Sequence, residues 1–267
     1  KPAAAKFDGA SLAPLLRGSP APWPDRMLVT QFTRMNDPQP RRGDGLVLWQ
    51  RWRLVADKEL YDLATDPAQE RDVIDQFPQI AAKLREHYAN WWNGVAPRVH
   101  EISPVHIGSP QENPTLLTPC EWVDVFFDQQ AQVRRVKKNG AWQVLVEQPG
   151  EYEFALRRWP VEADAALTAP MPEHKGGDGV FRAGDAFPIA TAHLRLCDLR
   201  QSQSVSPTDK VATFRVTLRA GRTELQTWFR DAAGAEIAGA YYVYVRAVFR
   251  EQETQSKPNV EIRNSGK

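Results

Sequence analysis

The chain has 267 residues, 42% hydrophobic and 25% charged, which is the composition of an ordinary globular protein with a sizeable core. The 34 Lys and Arg residues against 33 Asp and Glu residues leave a formal net charge of +1, so no overall basic field is present to hold a nucleic acid. No stretch approaches the roughly 18 consecutive apolar residues of a transmembrane helix. We therefore expect neither a nucleic-acid partner nor a membrane span.

Composition predicts two domains. Residues 1–95 mix strand and helix signals, whereas residues 120–250 are rich in period-two alternation. The stretch 96–119 contains five prolines and predicts an extended connector, and the polar residues 251–267 predict a frayed tail. Residues 1–6 are typical of an interdomain linker and lack the apolar segment of a signal peptide, so we expect a fragment of a longer protein.

Three segments of the first part predict strands. Residues 26–33 and 45–55 are rich in β-branched and aromatic side chains, and residues 59–62 form a shorter candidate that precedes an Asp-Pro turn. The turn-rich residues 41–44 separate the first two candidates, which predicts antiparallel neighbours. We expect a small antiparallel sheet.

A helix is predicted from Pro78 onward. Ile80, Leu84, Tyr88 and Trp91 recur at helical spacing and form one apolar stripe. Pro78 suits a first helical turn, and Gly94 suits a left-handed cap at the helix end. The aromatic side of this helix is expected to pack on the small sheet.

The second part predicts an antiparallel β-sandwich of the jelly-roll type, so the fold class is α+β with a β-rich second domain. Hydrophobic and polar residues alternate in 151–157 and 213–219. Further strands are predicted at 122–127, 142–147, 193–197, 225–229 and 241–249. Ala220-Gly221 and residues 231–234 are hairpin-turn signals, and the apolar run 240–249 indicates a strand buried on both faces.

Common catalytic motifs are absent from the sequence, including Gly-x-Gly-x-x-Gly, the Walker loop, His-Glu-x-x-His and Gly-x-Ser-x-Gly. His100 and His106 lie six residues apart in the proline-rich stretch, and a metal pair stays open beside the commoner case of solvated loop histidines. Glu162 and Asp164 are a candidate acid/base pair, although acidic residues are common in any turn.

Two cysteines are too few for a disulfide scaffold or a Cys-rich zinc site. Cys120 and Cys197 are predicted to be buried free thiols, and a single bridge between them stays open.

Nine tryptophans are many for this length, and aromatic faces stack on sugar rings as readily as they fill cores. Trp228 is out of phase with Leu225 and Phe229, and Trp159 ends its strand beside two arginines. Trp159 and Trp228 are therefore candidate carbohydrate-stacking residues. The alternative is that each packs in the core.

Four blocks stand out in residues 7–92. They are Phe-Asp-Gly-Ala-Ser-Leu-Ala-Pro-Leu-Leu-Arg-Gly at 7–18, Trp-Pro-Asp-Arg at 23–26, Trp-Arg-Leu-Val at 52–55 and Glu-Leu-Tyr-Asp-Leu at 59–63, followed by Asp66-Pro67 and Glu70. In order and spacing they resemble the C-terminal subdomain of the arylsulfatase (type I sulfatase) family. Residues 102–249 are similar to the extra β-rich domain of some bacterial members.

This resemblance implies the end of a sulfate-ester hydrolase acting on sulfated carbohydrate. The family uses a formylglycine made within Cys/Ser-x-Pro-x-Arg, and a calcium ion held by Asp and Asn. Neither Cys120 nor Cys197 lies in such a motif. The resemblance thus implies an upstream catalytic domain of the same polypeptide as partner, with calcium in the complete enzyme and no catalytic or metal residue here. It implies an inactive segment by itself, and a periplasmic or secreted location.

The loop of residues 33–44 carries Arg34, Asn36, Arg41 and Arg42. Guanidinium groups present a planar fork that suits anionic sulfate esters. The hypothesis is that these four residues form part of the substrate-pocket rim of the complete enzyme, and the alternative is a solvated basic turn.

A different class of function is also open. The β-sandwich is a candidate carbohydrate-binding module that targets the enzyme to sulfated polysaccharide, with Trp159 and Trp228 as its platforms. A third hypothesis makes the sandwich a packing or oligomerisation element, which the apolar run 240–249 favours.

Overall fold

Strands dominate the part of the chain that the computed structural model describes, which is residues 7–18, 23–32, 40–177 and 179–249. Those residues contain three α-helices and sixteen strands, and none of the helices is long and apolar enough to cross a membrane. The chain divides into two units, residues 1–101 and 102–267. The predicted tail, residues 251–267, lies outside the described residues.

The first unit contains a four-stranded antiparallel sheet of order β1-β2-β3-β4. Its strands are β1 (Leu28–Gln31), β2 (Gly45–Trp49), β3 (Trp52–Val55) and β4 (Glu59–Asp62). The segment 45–55, predicted as one strand, is a tight hairpin that turns at Gln50, where φ is 53°. The hairpin places Val47 opposite Leu54, and both are buried, so folding back gives the sheet a continuous apolar face.

The helix α2 (Pro78–Val95) covers that face and buries Ala81, Leu84 and Tyr88. It runs through Gly94 instead of stopping there, so the predicted glycine cap is wrong. A short 3-10 helix, Ala96–Arg98, follows directly. Before the sheet lies α1 (Ala13–Leu16), a single turn with no buried residue.

The second unit contains twelve strands and one α-helix within the described residues. The helix is α3 (Gln130–Arg135). The strands are β5 (Val105–Ile107), β6 (Thr115–Leu117), β7 (Ala141–Val146), β8 (Gly150–Arg157), β9 (His174–Gly176), β10 (Gly179–Phe181), β11 (Thr191–Leu196), β12 (Leu199–Ser204), β13 (Ala212–Leu218), β14 (Gly221–Arg230), β15 (Glu236–Ala238) and β16 (Tyr242–Val248).

Two sheets share one hydrophobic core, which makes the second unit a β-sandwich. The larger sheet has the order β12-β11-β14-β7-β5, with β15 beside β14, and the smaller has the order β13-β8-β16-β6. Alternate residues of each strand point inward, as Trp142 and Val144 do on β7 and Phe154 and Leu156 do on β8. One pairing departs from the predicted antiparallel pattern, because β5 runs parallel to β7.

The proline-rich stretch is more than a connector. Residues 96–119 include β5 and β6, which join the larger and the smaller sheet respectively. Each strand has only three residues and fits between prolines. The many prolines therefore predicted the turns correctly, but they gave no sign of the short strands between them.

Three other predictions for the second unit differ from the structure. Residues 122–127 form no strand, because Trp122 and Phe127 turn inward and pack beside Tyr241. Ala220-Gly221 joins β13 to β14, which belong to different sheets, so it is no hairpin turn. β16 is buried on one face only, which removes the support that the run 240–249 lent to a packing role. The turn at 231–234 does close a hairpin, between β14 and β15.

A buried arginine ties the irregular segments of the sandwich together. Arg158 is fully buried and donates to the carbonyl oxygens of Ala169 at 3.1 Å, Asp185 at 2.5 Å and Arg134 at 3.4 Å. These acceptors lie on α3 and on both sides of the β9–β10 hairpin. One side chain therefore contacts three segments, which backbone hydrogen bonds such as that from Asp185 N–H to the Arg134 carbonyl also join.

The guanidinium of Arg158 also lies between two aromatic rings. Its central carbon is 3.4 Å from the ring centroid of Phe187 and 4.4 Å from that of Trp159. Among the described residues Arg158 forms no ion pair with a carboxylate. Burial lowers the pKa of Arg158 to about 10, so the group is still charged at neutral pH.

Replacing Arg158 by Met is expected to lower the free energy of unfolding by about 2–4 kcal/mol, because three hydrogen bonds from a buried guanidinium to backbone carbonyl groups are lost while packing volume is nearly kept. Urea denaturation of the full chain measures this. The matched control is Arg246→Met on the exposed face of β16, for which we expect a change of no more than about 0.5 kcal/mol. Equal stability of the two variants would contradict the assigned role.

Replacing Gly140 by Ala is expected to lower the melting temperature. A Cβ atom at Gly140 would lie 2.6 Å from Cγ of Trp122 and 2.7 Å from its Cβ, so the buried indole would have to move, at a cost of about 1–3 kcal/mol. Gly150→Ala is the control, since its added Cβ would meet nothing within 4 Å. Thermal unfolding followed by tryptophan fluorescence compares them, and equal melting temperatures would refute the expectation.

Candidate functional site

Polar side chains surround Trp228 on the outward face of the larger sheet. On β14, Leu225, Thr227 and Phe229 are buried, so Gln226, Trp228 and Arg230 face outward and are half-buried. The alternation that fills the core therefore also lines up the outer face. Thr191, His193 and Arg195 lie on the same face of β11.

Strand register brings these residues into three adjacent rows. Trp228 lies opposite His193, which lies opposite Ser202 of β12. The next row places Gln226 opposite Arg195 and Arg195 opposite Arg200. The row on the other side places Arg230 opposite Thr191 and Thr191 opposite Ser204. The indole thus lies between two rows that each contain arginine.

An open cleft of about 220 Å³ lies over this face. We call it the Trp228 cleft. The residues that line it are His193, Leu194, Arg195, Arg200, Gln201, Trp228 and Arg230. The volume is below the roughly 300–1,000 Å³ of pockets that enclose drug-sized ligands. A cleft of this size and openness suits one unit of a larger ligand that runs across the sheet.

Arg195 is held in place by its neighbours on β14. It donates to Oε1 of Glu224 at 2.6 Å and to Oε1 of Gln226 at 2.9 Å. Its guanidinium carbon lies 5.7 Å from the ring centroid of Trp228, so it also contacts the indole. Trp228 therefore has a fixed neighbour on one side.

His193 contributes a hydrogen-bonding group to the cleft. Its Nε2 lies 2.9 Å from Oγ1 of Thr191. Desolvation by burial, followed by the nearby charge of Arg230, holds the pKa of His193 below its ordinary value. The imidazole is consequently neutral at pH 7, and the positive charge of the cleft comes from its arginines.

Trp159 does not meet the requirement for a stacking platform. Its side chain is only 3% exposed, and its Nε1 donates to the carbonyl oxygen of Ala169 at 3.1 Å. The chain turns inward after β8 because Arg158 is buried there, and Trp159 follows it into the core. The hypothesis that Trp159 stacks on carbohydrate is therefore wrong, and its alternative, core packing, is what the structure shows.

The predicted rim residues fall in two groups. Arg34 and Asn36 lie outside the described residues. Arg41 and Arg42 are exposed and directly precede the turn into β2. They occupy the connection between the first two strands of the small sheet, as the sequence predicts.

Tyr88 holds the base of that connection. Its hydroxyl accepts a hydrogen bond from the backbone N–H of Gly43 at 2.9 Å and donates to Oε1 of Gln31 at 2.9 Å. Nε2 of Gln31 in turn donates to the carbonyl oxygen of Arg41 at 3.0 Å. Burial raises the pKa of Tyr88 above its ordinary value, so the hydroxyl keeps its proton for this bond.

His106 and Asp164, each a member of a candidate pair in the sequence, contact other residues in the structure. His106 contacts Glu147 through Nδ1, and Asp164 pairs with Lys210 at 2.6 Å. Hydrogen bonding and the charge of Lys210 lower the pKa of Asp164, which is typical of an ion pair and unlike a general acid. Glu162 and Asp164 do not hydrogen-bond to each other in the described part of the chain.

No group of three His, Cys, Asp or Glu side chains suited to a metal ion occurs within the described residues. Cys120 and Cys197 are both free and exposed, so their predicted burial is wrong. Sγ of Cys197 lies 2.8 Å from Oγ1 of Thr223.

Sequence reasoning found Trp228 but missed the residues around it. Gln226 and Arg230 share the parity of Trp228 on β14, which is a readable signal. His193, Arg195 and Arg200 join the cleft only through the pairing of β14 with β11 and of β11 with β12, which periodicity within one strand does not reveal.

No protein-family model matches the chain, and no curated protein matches it. Among solved structures, it is similar to a ruminal GH26 endo-beta-1,4-mannanase, with 12% identity over 52% of this chain and 27% of that chain, at a TM-score of 0.30. It is also similar to the CBM35 from Cellvibrio japonicus Abf62, with 12% identity over 50% of this chain and 81% of that chain, at a TM-score of 0.24. The chain thus spans about a quarter of the mannanase. Both TM-scores lie below 0.5, so neither likeness assigns a function to this chain.

Proposed function

We propose that the second unit binds carbohydrate across the outer face of its larger sheet, with Trp228 as the stacking platform. The observation that carries this is a half-buried indole beside an open cleft, with hydrogen-bonding groups in every adjacent row. A sugar has an apolar C–H face and a rim of hydroxyl groups, so it needs both features side by side.

Rigidity of the face supports the same proposal. Trp228 lies on β14, an inner strand of the larger sheet, which pairs with β11 on one side and with β7 and β15 on the other. Its outward neighbours are held by hydrogen bonds, as Arg195 is by Glu224. A platform on a central strand loses little conformational entropy when ligand binds.

Replacing Trp228 by Ala is expected to weaken polysaccharide binding about 10- to 30-fold, which corresponds to about 1.4–2 kcal/mol for a central aromatic contact. Affinity gel electrophoresis of the full chain in gels that contain neutral or anionic polysaccharides measures the retardation. Trp23→Ala is the matched control, because Trp23 is exposed and lies in the first unit. The proposal would be refuted if no polysaccharide retarded the migration of the unmodified chain.

We also propose that the first unit completes the fold of a sulfatase, as its sequence blocks suggest. Exposed apolar side chains support this: Leu12, Leu16, Trp23 and Phe32 are between 42% and 84% exposed, and α1 buries no residue. Monomers rarely leave such a row of apolar residues uncovered. The proposed cover is the α/β catalytic domain of the same polypeptide, in a periplasmic or secreted enzyme.

In that complete polypeptide, Arg41→Ala and Arg42→Ala are each expected to raise KM for a sulfated sugar about 3- to 10-fold with kcat nearly unchanged, because a guanidinium at the pocket rim contributes to binding alone. Release of inorganic sulfate gives the rate. Arg98→Ala, an exposed arginine after α2, is the control.

Two results would count against the sulfatase proposal. One is a coding sequence upstream that lacks the Cys/Ser-x-Pro-x-Arg motif. The other is a complete polypeptide that releases no sulfate from any sulfate ester. Unchanged KM in both arginine variants would remove the rim hypothesis alone.

A further inference from the structure

We infer that the Trp228 cleft selects a sugar unit that carries an oxyanion, either a sulfate ester or a carboxylate. This inference rests on the proposed carbohydrate-binding function and names the class of sugar that the same site takes. Its support is the charge of the cleft, the position of that charge relative to the indole, and the engagement of the carboxylates near Arg230 by other groups.

Three arginines line the cleft, and only one of them has an acidic partner. Glu224 pairs with Arg195 at 2.6 Å. Within the described residues, Arg200 and Arg230 form no ion pair. Neither of these two guanidinium groups therefore has a carboxylate of the described residues within ion-pair distance.

The carboxylates nearest to Arg230 along the chain and across the sheet are engaged elsewhere. Asp231 accepts hydrogen bonds from the backbone N–H groups of Ala233 and Ala235, at 2.9 and 2.8 Å. Glu236, opposite Arg230 in the strand register, accepts from Nδ2 of Asn139 at 3.0 Å. The lack of an ion pair at Arg230 in the described part of the chain thus follows from how the neighbouring turn and strand hold these carboxylate oxygens.

Arg230 and Arg200 lie on opposite sides of Trp228. Arg230 is in the next outward row of the same strand, roughly 7 Å away along β14. Arg200 is in the row on the other side but on β12, two strands from β14, so it lies roughly 7 Å along the strand direction and roughly 10 Å across it. A sugar stacked on the indole therefore has Arg230 near one end, and a ligand that continues toward β12 reaches Arg200. Guanidinium forks bind sulfate and carboxylate oxygens through paired, charge-assisted hydrogen bonds.

Partial burial strengthens the contribution of Arg230. Its side chain is half-buried, and its Nε is buried without a hydrogen-bond partner among the described residues. A partly desolvated cation interacts more strongly with an anion than a fully hydrated one does. A neutral sugar would leave this charge unmatched.

The test compares three forms of one backbone by isothermal titration calorimetry with the full chain. Chondroitin sulfate carries both anions, chemically desulfated chondroitin carries the carboxylate alone, and its carboxyl-reduced form carries neither. Carrageenan and its desulfated form repeat the comparison on a galactan. We expect at least about 10-fold tighter binding of an anionic form than of the neutral form, decreasing as salt rises. The single-anion forms distinguish sulfate from carboxylate.

Variants connect the effect to the cleft. Arg200→Gln and Arg230→Gln are each expected to weaken binding of the preferred anionic form about 5- to 10-fold and to leave the neutral form unaffected, whereas Trp228→Ala weakens both. Arg246→Gln on the smaller sheet removes the same charge and serves as the control. An equal loss in Arg246→Gln would show general charge attraction and would overturn the inference.

The remaining outcomes separate the two proposals. If the neutral and anionic forms bind equally, the inference fails and carbohydrate binding stands. If neither these glycans nor any polysaccharide in the gels binds, carbohydrate binding fails and the inference fails with it.

Discussion

The second unit depends on a charged group that it buries without a carboxylate. Removing a guanidinium from water is costly unless its N–H groups find acceptors. The two terminal nitrogens of Arg158 find them in three backbone carbonyl groups, and two aromatic rings contact the cation, while its Nε has no hydrogen-bond partner among the described residues. Since the acceptors come from α3 and from the segments that flank the β9–β10 hairpin, satisfying the arginine requires those segments to be in place. The long irregular connection between β8 and β11 is ordered around this requirement.

This constraint also decides which of the two candidate tryptophans lies at the surface. Trp159 follows Arg158 directly, so it enters the core, and its Nε1 shares the Ala169 carbonyl with the guanidinium. Trp228 lies on a regular strand, where alternation alone places it outside the core. On this open face the indole has the guanidinium of Arg195 as a neighbour, and the other residues around it are polar and basic.

Regular patterning explains how much of the fold could be read in advance. Period-two alternation located β8, β13 and β14, and the helical stripe located α2, because those elements are amphipathic by themselves. The failures lie where a segment depends on a distant partner. Trp122 and Phe127 lie in a segment with the composition of a strand, yet both side chains pack inward beside Tyr241. β5 and β6 are three residues each and exist only because β7 and β16 are there to pair with them.

The sequence by itself determined the two-part organisation, the faces of the amphipathic elements and the choice of Trp228 as a platform candidate. Each of these follows from the spacing of residue types within one element, which is a local property. Only the tertiary structure decided that Trp159 is buried, that β13 and β14 belong to different sheets, and that Arg195, Arg200 and Arg230 surround Trp228. These depend on strand order, register and the desolvation of Arg158, which arise from contacts between residues far apart in the chain.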